Sequence, residues 1–383
     1  MDLTERLTLH RRTLHRIPEL GFREFKTARY IRETLDKLGI DYGTPMETAT
    51  VAFIKGNSGR TIAFRADIDG LPIEEENDLP FRSEHPGVMH ACGHDGHAAI
   101  LLAFAERCME LQSENTLPHN VLLLFQPSEE SGGGAAHLVR AGVFEGHPPE
   151  AVFGLHLMPD EGEGLLLTRS GELTASATEY RFTVKGRSAH VADKQDGASA
   201  LGSLIQIISG IERLQHYHLD GLNRNIVHIG RMQAGEAINT VASSARLEGT
   251  IRTYSPDDLQ KVTAMMKNLA ESADLLFGTE TELAVADGYP PVINTPSLLP
   301  LSRRAAEAAG LRFIEKEKPY LFGEDFSFYA DAAPVHFAFL GVRNEPLGYT
   351  SGLHTPTLNF REEALEGGVR FFEQALFETG DGN

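Results

Sequence analysis

The sequence predicts an α/β fold: a mixed, largely parallel sheet flanked by helices, carrying an inserted ferredoxin-like domain. Three observations predict it. Short apolar runs at 61–66, 121–126 and 151–156 read as buried strands, and helical stretches at 94–110 and 134–143 follow the first two. Strands alternating with helices call for a parallel sheet covered on both faces. From about 176 to 289 the order becomes β-α-β-β-α-β, the split unit of ferredoxin-like domains. At 383 residues the chain is too long for one simple core, in keeping with two domains.

The elements follow in order. Residues 3–16 and 23–38 show helical periodicity, broken at Pro18 and Gly21. The three buried strands and their helices come next. Within the insert, 179–184 alternates as a strand, and 198–217 is a long helix with Leu201, Leu204, Ile205, Ile208 and Ile211 expected on one apolar face. Strands at 225–230 and 246–254, a helix at 257–276 and a strand at 281–286 complete the unit. After Pro290-Pro291 the first rhythm resumes, with a helix near 298–309, a strand at 335–340 and a final helix at 362–378. The expected division is therefore a discontinuous domain, 1–175 and 290–383, around a lid or dimerisation domain at 176–289.

Charge and cysteine content exclude several classes. A net charge of −19 disfavours nucleic acid and anionic membranes as partners. Two cysteines cannot build a disulfide framework, and Cys108 lies in an apolar helical run that reads as core. The N-terminal Met1-Asp2-Leu3-Thr4-Glu5-Arg6 has no apolar leader, and no run of eighteen apolar residues occurs, so a cytoplasmic location is expected.

The chemistry concentrates at strand ends. Residues 90–97 read His-Ala-Cys-Gly-His-Asp-Gly-His, and a turn at Gly93 would aim Cys92 and His94 at one point. The run 61–66 leads into Asp67-Ile68-Asp69, the run 121–126 into Ser128-Glu129-Glu130, and the run 151–156 ends on His156. Ligands of open α/β sheets bind beyond the carboxyl ends of the strands. Candidate ligands are thus Cys92, His94, Glu129, Glu130 and His156, with His354 joining from Leu-His-Thr-Pro-Thr. This donor set suits Zn or Mn, and it is large enough for a pair of ions.

Adjacent Glu129 and Glu130 would point differently on an extended segment, so one can ligate while the other handles the proton of a bound water. Capping of the following helix is the competing explanation. Asp69 and Asp95 can orient imidazoles or simply shape turns. His90 and His97 are left out of the ligand set. The Gly132–Gly134 run lacks a following Lys-Ser/Thr, and Ser128 lacks a nucleophile-elbow context. His190, Asn239 and Arg252 are polar residues at strand margins of the insert, weak by themselves.

With these residues assembled, the chain resembles the metal-dependent amidohydrolases of the aminoacylase and carboxypeptidase superfamily. It looks most like the branch of hippurate hydrolases, indole-acetyl-amino-acid hydrolases and N-acetyl-diaminopimelate deacetylases. The likeness rests on HRIPELGFREFKT, AFRADIDGLPIEEEN, VMHACGHDGHAA, FQPSEESGGGA, FGLHLMP, GRSAHVADKQDGASA, AINTVASSARLEGTIRT, GEDFSFY and LHTPTLNF, in that order. It implies Cys92, His94, Glu130, His156 and His354 as ligands of two divalent ions, Glu129 as general acid/base, and Asp69 as support. It also implies His190, Asn239 and Arg252 as substrate-binding residues on the lid, with His190 reaching a neighbouring subunit in related dimers. The 323–326 loop would line the substrate pocket. The expected activity is hydrolysis of an N-acyl amino acid, an N-acetyl one foremost, by a homo-oligomer joined through the lid domain. A dipeptidase or carboxypeptidase with the same centre is the alternative, and a non-catalytic metal-binding protein a remote one.

Overall fold

The protein is described here by a computed structural model covering residues 1–220, 224–286 and 288–379. Two compact units divide it. The first comprises Met1–Leu173, Ile293–Pro319 and Asp325–Asn383, and the second Thr174–Val292 and Tyr320–Glu324.

The first unit begins with helices α1 (Leu3–His15) and α2 (Phe25–Leu38) and strands β1 (Asp41–Gly43), β2 (Thr50–Ile54) and β3 (Thr61–Asp67). Helix α3 (His94–Ser113), β4 (Asn120–Gln126), α4 (Gly134–Arg140), β5 (Ala151–Gly162), β6 (Leu165–Thr168) and a two-residue β7 (Gly171–Glu172) follow. The second unit contains β8 (Thr178–Lys185), α5 (Ala200–Tyr217), β9 (Ile226–Ala234), β10 (Ser244–Arg252), α6 (Pro256–Phe277) and β11 (Glu280–Val285). The chain then returns through β12 (Ile293–Asn294), α7 (Leu299–Ala308), β13 (Arg312–Glu315), β14 (Val335–Arg343) and α8 (Glu366–Glu378).

The large sheet has the order β1-β2-β4-β3-β5-β14-β6-β13. Its centre is parallel: β3 pairs with β4 and β5, and β14 with β5. Strands β3 and β4 are buried along nearly their whole length, as a sheet covered on both faces requires. Helices α3 and α8 contribute Ile100, Leu101, Phe104, Phe371 and Phe372 to the core, where Phe104 lies edge-on and Phe372 tilted against Phe64 of β3. Cys108 is fully buried in this core. The second unit forms an antiparallel sheet in the order β11-β8-β10-β9 with two helices, a ferredoxin-like arrangement. The mixed, mostly parallel sheet and its separate ferredoxin-like unit are the fold class the sequence predicts.

Two expectations need correction. Helix α5 does not bury the stripe 201, 204, 205, 208, 211: Leu201 and Ile205 are exposed, and Leu204, Ile207, Ile211 and Leu214 form the core face. The true stripe keeps the i, i+3, i+7, i+10 spacing, which rotates it away from Leu201 and Ile205. Strand β5 also runs six residues beyond His156, so this histidine lies within a strand and not at its end. No described helix is long and apolar enough to cross a membrane.

Candidate metal centre

Strand register brings the polar residues to one level. Asp67, the last residue of β3, pairs with Gln126, the last of β4, and Arg65 of β3 lies opposite Gly154 of β5. The segments leaving β3 and β4 therefore emerge beside the middle of β5, where His156 stands. Cys92 and His94 reach this level through a turn at Gly93, whose φ of +85° is in the left-handed region. A Cβ at Gly93 would press on Leu157 Cδ1 at 3.3 Å, so the turn that aims both side chains inward needs glycine. Gly134 is constrained more sharply, since a Cβ there would lie 1.7 Å from the Pro127 carbonyl oxygen. The glycine-rich run thus folds the 128–133 turn onto α4.

Cys92 is shared by two groups of donors. Its Sγ, with nitrogens of His94 and His156, forms a set whose atoms all lie within 4.8 Å of one another. A second such set joins Cys92, Glu130 and His354, and a third joins His94, Glu129 and Glu130. Cys92 Sγ lies 3.3 Å from His156 Nε2, and His354 Nε2 lies 3.0 Å from Glu130 Oε1. His354 has a φ of +58° and is pinned by its backbone N–H to the Ala91 carbonyl at 2.7 Å. Ser128, just before the glutamates, has a φ of +55°. Positive φ at non-glycine residues is uncommon, and here two cases flank one cluster.

Hydrogen bonds to the far side of each ring settle which nitrogen faces the cluster. His156 Nδ1 donates to the Leu157 carbonyl at 2.7 Å, leaving the Nε2 lone pair beside Cys92. His94 Nδ1 donates to Asp69 Oδ1 at 3.1 Å. Its Nε2 is buried without a hydrogen-bond partner, 3.6 Å from Asp67 Oδ2 and 3.9 Å from Glu130 Oε1. Those spacings are long for hydrogen bonds, but two donors on one ion stand roughly 3–4 Å apart. Asp69 also accepts the backbone N–H groups of Glu129 and Glu130, each at 3.1 Å. One buried carboxylate thereby fixes an imidazole and both glutamates.

The electrostatics describe a site in want of cations. Burial pushes the Cys92 thiol well above its usual range, and Glu130 and Glu129 push it further. Burial opposes charge on His94, yet Asp67 and Asp69 outweigh it and hold the ring raised to about 10. Burial drives His156 well below its ordinary value, aided by His97. A thiolate and neutral imidazoles are the forms that ligate, and a bound divalent cation would favour both. The soft and hard donors together fit borderline divalent ions.

Sequence reasoning left His97 out of the ligand set and gave no role to Asp67 or Arg65. His97 donates from Nδ1 to Asp67 at 2.5 Å and accepts the Leu157 N–H on Nε2 at 2.8 Å, so neither nitrogen is left for an ion. Arg65 is fully buried and spans Asp67 at 2.7 Å and Asp325 at 2.9 Å. Asp325 is fully buried and also accepts from Gln126 Nε2 at 2.9 Å and from the Ala135 N–H at 3.0 Å. Period-2 alternation was the available signal for Arg65 and Asp67, which share one face of β3.

Of the insert residues, His190 and Asn239 lie together. Both are exposed, and the Val191 N–H bonds the Asn239 carbonyl at 3.0 Å. His190 Nδ1 accepts the Ala192 N–H at 3.2 Å, capping the turn Val191–Asp196. Arg252 ends β10, half-buried near Gly323. Asp95 bonds Arg11 and His15, at 3.0 and 2.8 Å, and orients no ligand.

The chain is similar to known proteins over nearly its whole length. A model of peptidase family M20/M25/M40 matches residues 63–378. An uncharacterized hydrolase of Staphylococcus haemolyticus is 52% identical over 382 residues, covering 100% of both chains. An uncharacterized hydrolase of Staphylococcus aureus strain N315 is 52% identical, covering 98% of each. Among solved structures, the Bacillus subtilis YXEP protein, a dinuclear metal binding peptidase of the M20 family, is 33% identical with a TM-score of 0.85, covering 99% of both chains. A putative aminohydrolase from methicillin-resistant Staphylococcus aureus is 26% identical with a TM-score of 0.91, covering 98% of this chain and 96% of that one.

Proposed function

Because the chain belongs to peptidase family M20/M25/M40 and is a metal-dependent hydrolase, we propose that it cleaves the amide of N-acyl amino acids, N-acetyl ones foremost. One observation carries the reading: the Asp69 clamp sets Glu129 and Glu130 side by side but sends them to different partners. Both glutamates stand in the His94 donor group, but of the two it is Glu130 that also joins the group of Cys92 and His354, while Glu129 is buried. A carboxylate next to a metal-bound water, but committed elsewhere than Glu130, is placed for proton transfer.

In this reading Cys92, His94, Glu130, His156 and His354 hold two divalent ions, Zn or Mn, with Cys92 common to both donor groups. When bound, the ions lower the pKa of a water and polarise the acyl carbonyl. Glu129 takes the proton of the attacking water and returns it to the departing amine. Asp69 holds Glu129, Glu130 and His94 in register through its three hydrogen bonds. His190, Asn239 and Arg252 bind substrate, with His190 serving the carbonyl of a neighbouring subunit's substrate. The exposed apolar residues Leu201, Ile205, Leu275 and Leu276 of α5 and α6 support a homodimer formed through the second unit.

An amine-release assay over N-acyl amino acids and dipeptides, with and without chelator, tests the substrate. Activity on N-acyl amino acids that chelation abolishes is expected. Cleavage of dipeptides alone would overturn the substrate assignment, and activity indifferent to chelation would overturn the centre. Mixing His190→Ala with Glu129→Gln subunits tests the shared site: recovered activity is expected, and none would place His190 outside a partner's reaction.

A further inference from the structure

A cleft of about 970 Å³ opens against the metal centre, with Glu130 and Ser131 in its wall. Leu20, Leu71 and Val88 give it an apolar side, and Arg23 and Lys26 give it two cations. Its volume is that of a small-molecule site.

The cations are uncompensated. The cleft contains two carboxylates, and both are committed. Glu19 Oε2 accepts the backbone N–H groups of Lys26 and Thr27 at 2.7 and 3.0 Å, which closes the start of α2. Glu130 faces His354. Lys26 Nζ lies 2.6 Å from His85 Nε2, while His85 Nδ1 lies 2.6 Å from the Pro18 carbonyl. A carbonyl only accepts, so Nδ1 holds the ring proton and Nε2 receives the ammonium. The imidazole fixes Lys26 without cancelling its charge. Arg23 is exposed, and its guanidinium has no hydrogen-bond or ion-pair partner among the described residues. In a chain of net charge −19, two cations without an acidic partner, in the wall of the cleft that Glu130 also lines, mark where an anion is received.

We propose that this cleft is the subsite for an anionic terminus of the substrate: a carboxylate borne on the acyl group or on the amino-acid side chain. The apolar side covers the methylenes between that terminus and the scissile amide. The inference rests on the N-acyl amino acid reading above.

The test compares kcat/KM of the metal-loaded wild type, Arg23→Glu/Lys26→Glu and Arg23→Gln/Lys26→Gln on two matched pairs. N-glutaryl-alanine against N-valeryl-alanine reports an acyl carboxylate. N-acetyl-glutamate against N-acetyl-glutamine reports a side-chain carboxylate. In one pair the wild type is expected to favour the anionic member, and the Glu variant to lower that preference by about tenfold or more, with the Gln variant between. Calorimetry supplies a readout besides turnover: glutarate should bind the wild type more tightly than valerate, and the Glu variant should lose the difference. Hydrolysis of neutral members without an anionic preference, or a preference the variants leave unchanged, overturns this inference alone. Failure of every N-acyl amino acid, with dipeptides cleaved, overturns the underlying reading and this subsite with it.

Discussion

Asp69→Asn is the sharpest probe of how the centre is held. The side chain is 1% exposed and receives three hydrogen bonds, from His94 Nδ1 and the Glu129 N–H on Oδ1 and from the Glu130 N–H on Oδ2. Asparagine keeps the volume and one accepting oxygen. With that oxygen in the Oδ1 position, the new NH2 group faces the Glu130 N–H, donor against donor. One buried donor left unpaired costs about 1–3 kcal/mol. Loss of the charge behind His94 weakens a ligand's support, and such partners are typically worth 10–100-fold in metal affinity, or roughly 1.4–2.8 kcal/mol. Competition against a chromophoric chelator should therefore show metal binding weakened by about 10–100-fold. Turnover at saturating metal should also fall, because Glu130 moves and Glu129 shares its backbone. A dissociation constant within twofold of the wild type would refute the orienting role of Asp69.

Other outcomes follow from the same geometry. Glu129→Gln should retain its metal by elemental analysis while kcat drops by about 10²–10⁴, and an unchanged kcat would remove Glu129 from proton transfer. Cys92→Ser should lower metal content while the circular dichroism of the metal-free protein stays that of the wild type; full occupancy would show that the thiolate is dispensable. Glu24 is 0% exposed and accepts the Ser128 N–H at 2.9 Å, and burial, with Asp69, raises its carboxyl to about 7. The folded protein thus binds a proton there that the unfolded chain releases near pH 4.5. Stability should fall as pH rises from about 4.5 through about 7, by an amount on the order of 3 kcal/mol. Glu24→Gln should flatten that part of a denaturant-midpoint profile, and an unaltered slope would assign it to other groups.

Local physics made much of this legible before any coordinates. Buried strands announce themselves as apolar runs, and period-2 and period-3.6 patterns separate the two units. The Cys92 and His94 pair was readable because one glycine turn sets it. Other features depend on residues far apart in the chain and on which face of an element is covered. Glu130 finds His354 more than two hundred residues away, and Arg65 finds Asp325 across a similar gap. Nothing in the spacing of Leu201 and Ile205 told that they face outward. The sequence by itself determined the elements, their order and the kinds of donors at the strand ends. Tertiary structure decided how the adjacent glutamates divide their partners, which histidines keep a nitrogen for an ion, and that Arg23 and Lys26 stand without an acidic partner in the wall of the cleft that Glu130 also lines. The reason is physical: backbone periodicity is set by near neighbours, whereas burial and the pairing of charges are set by whatever the fold brings into contact.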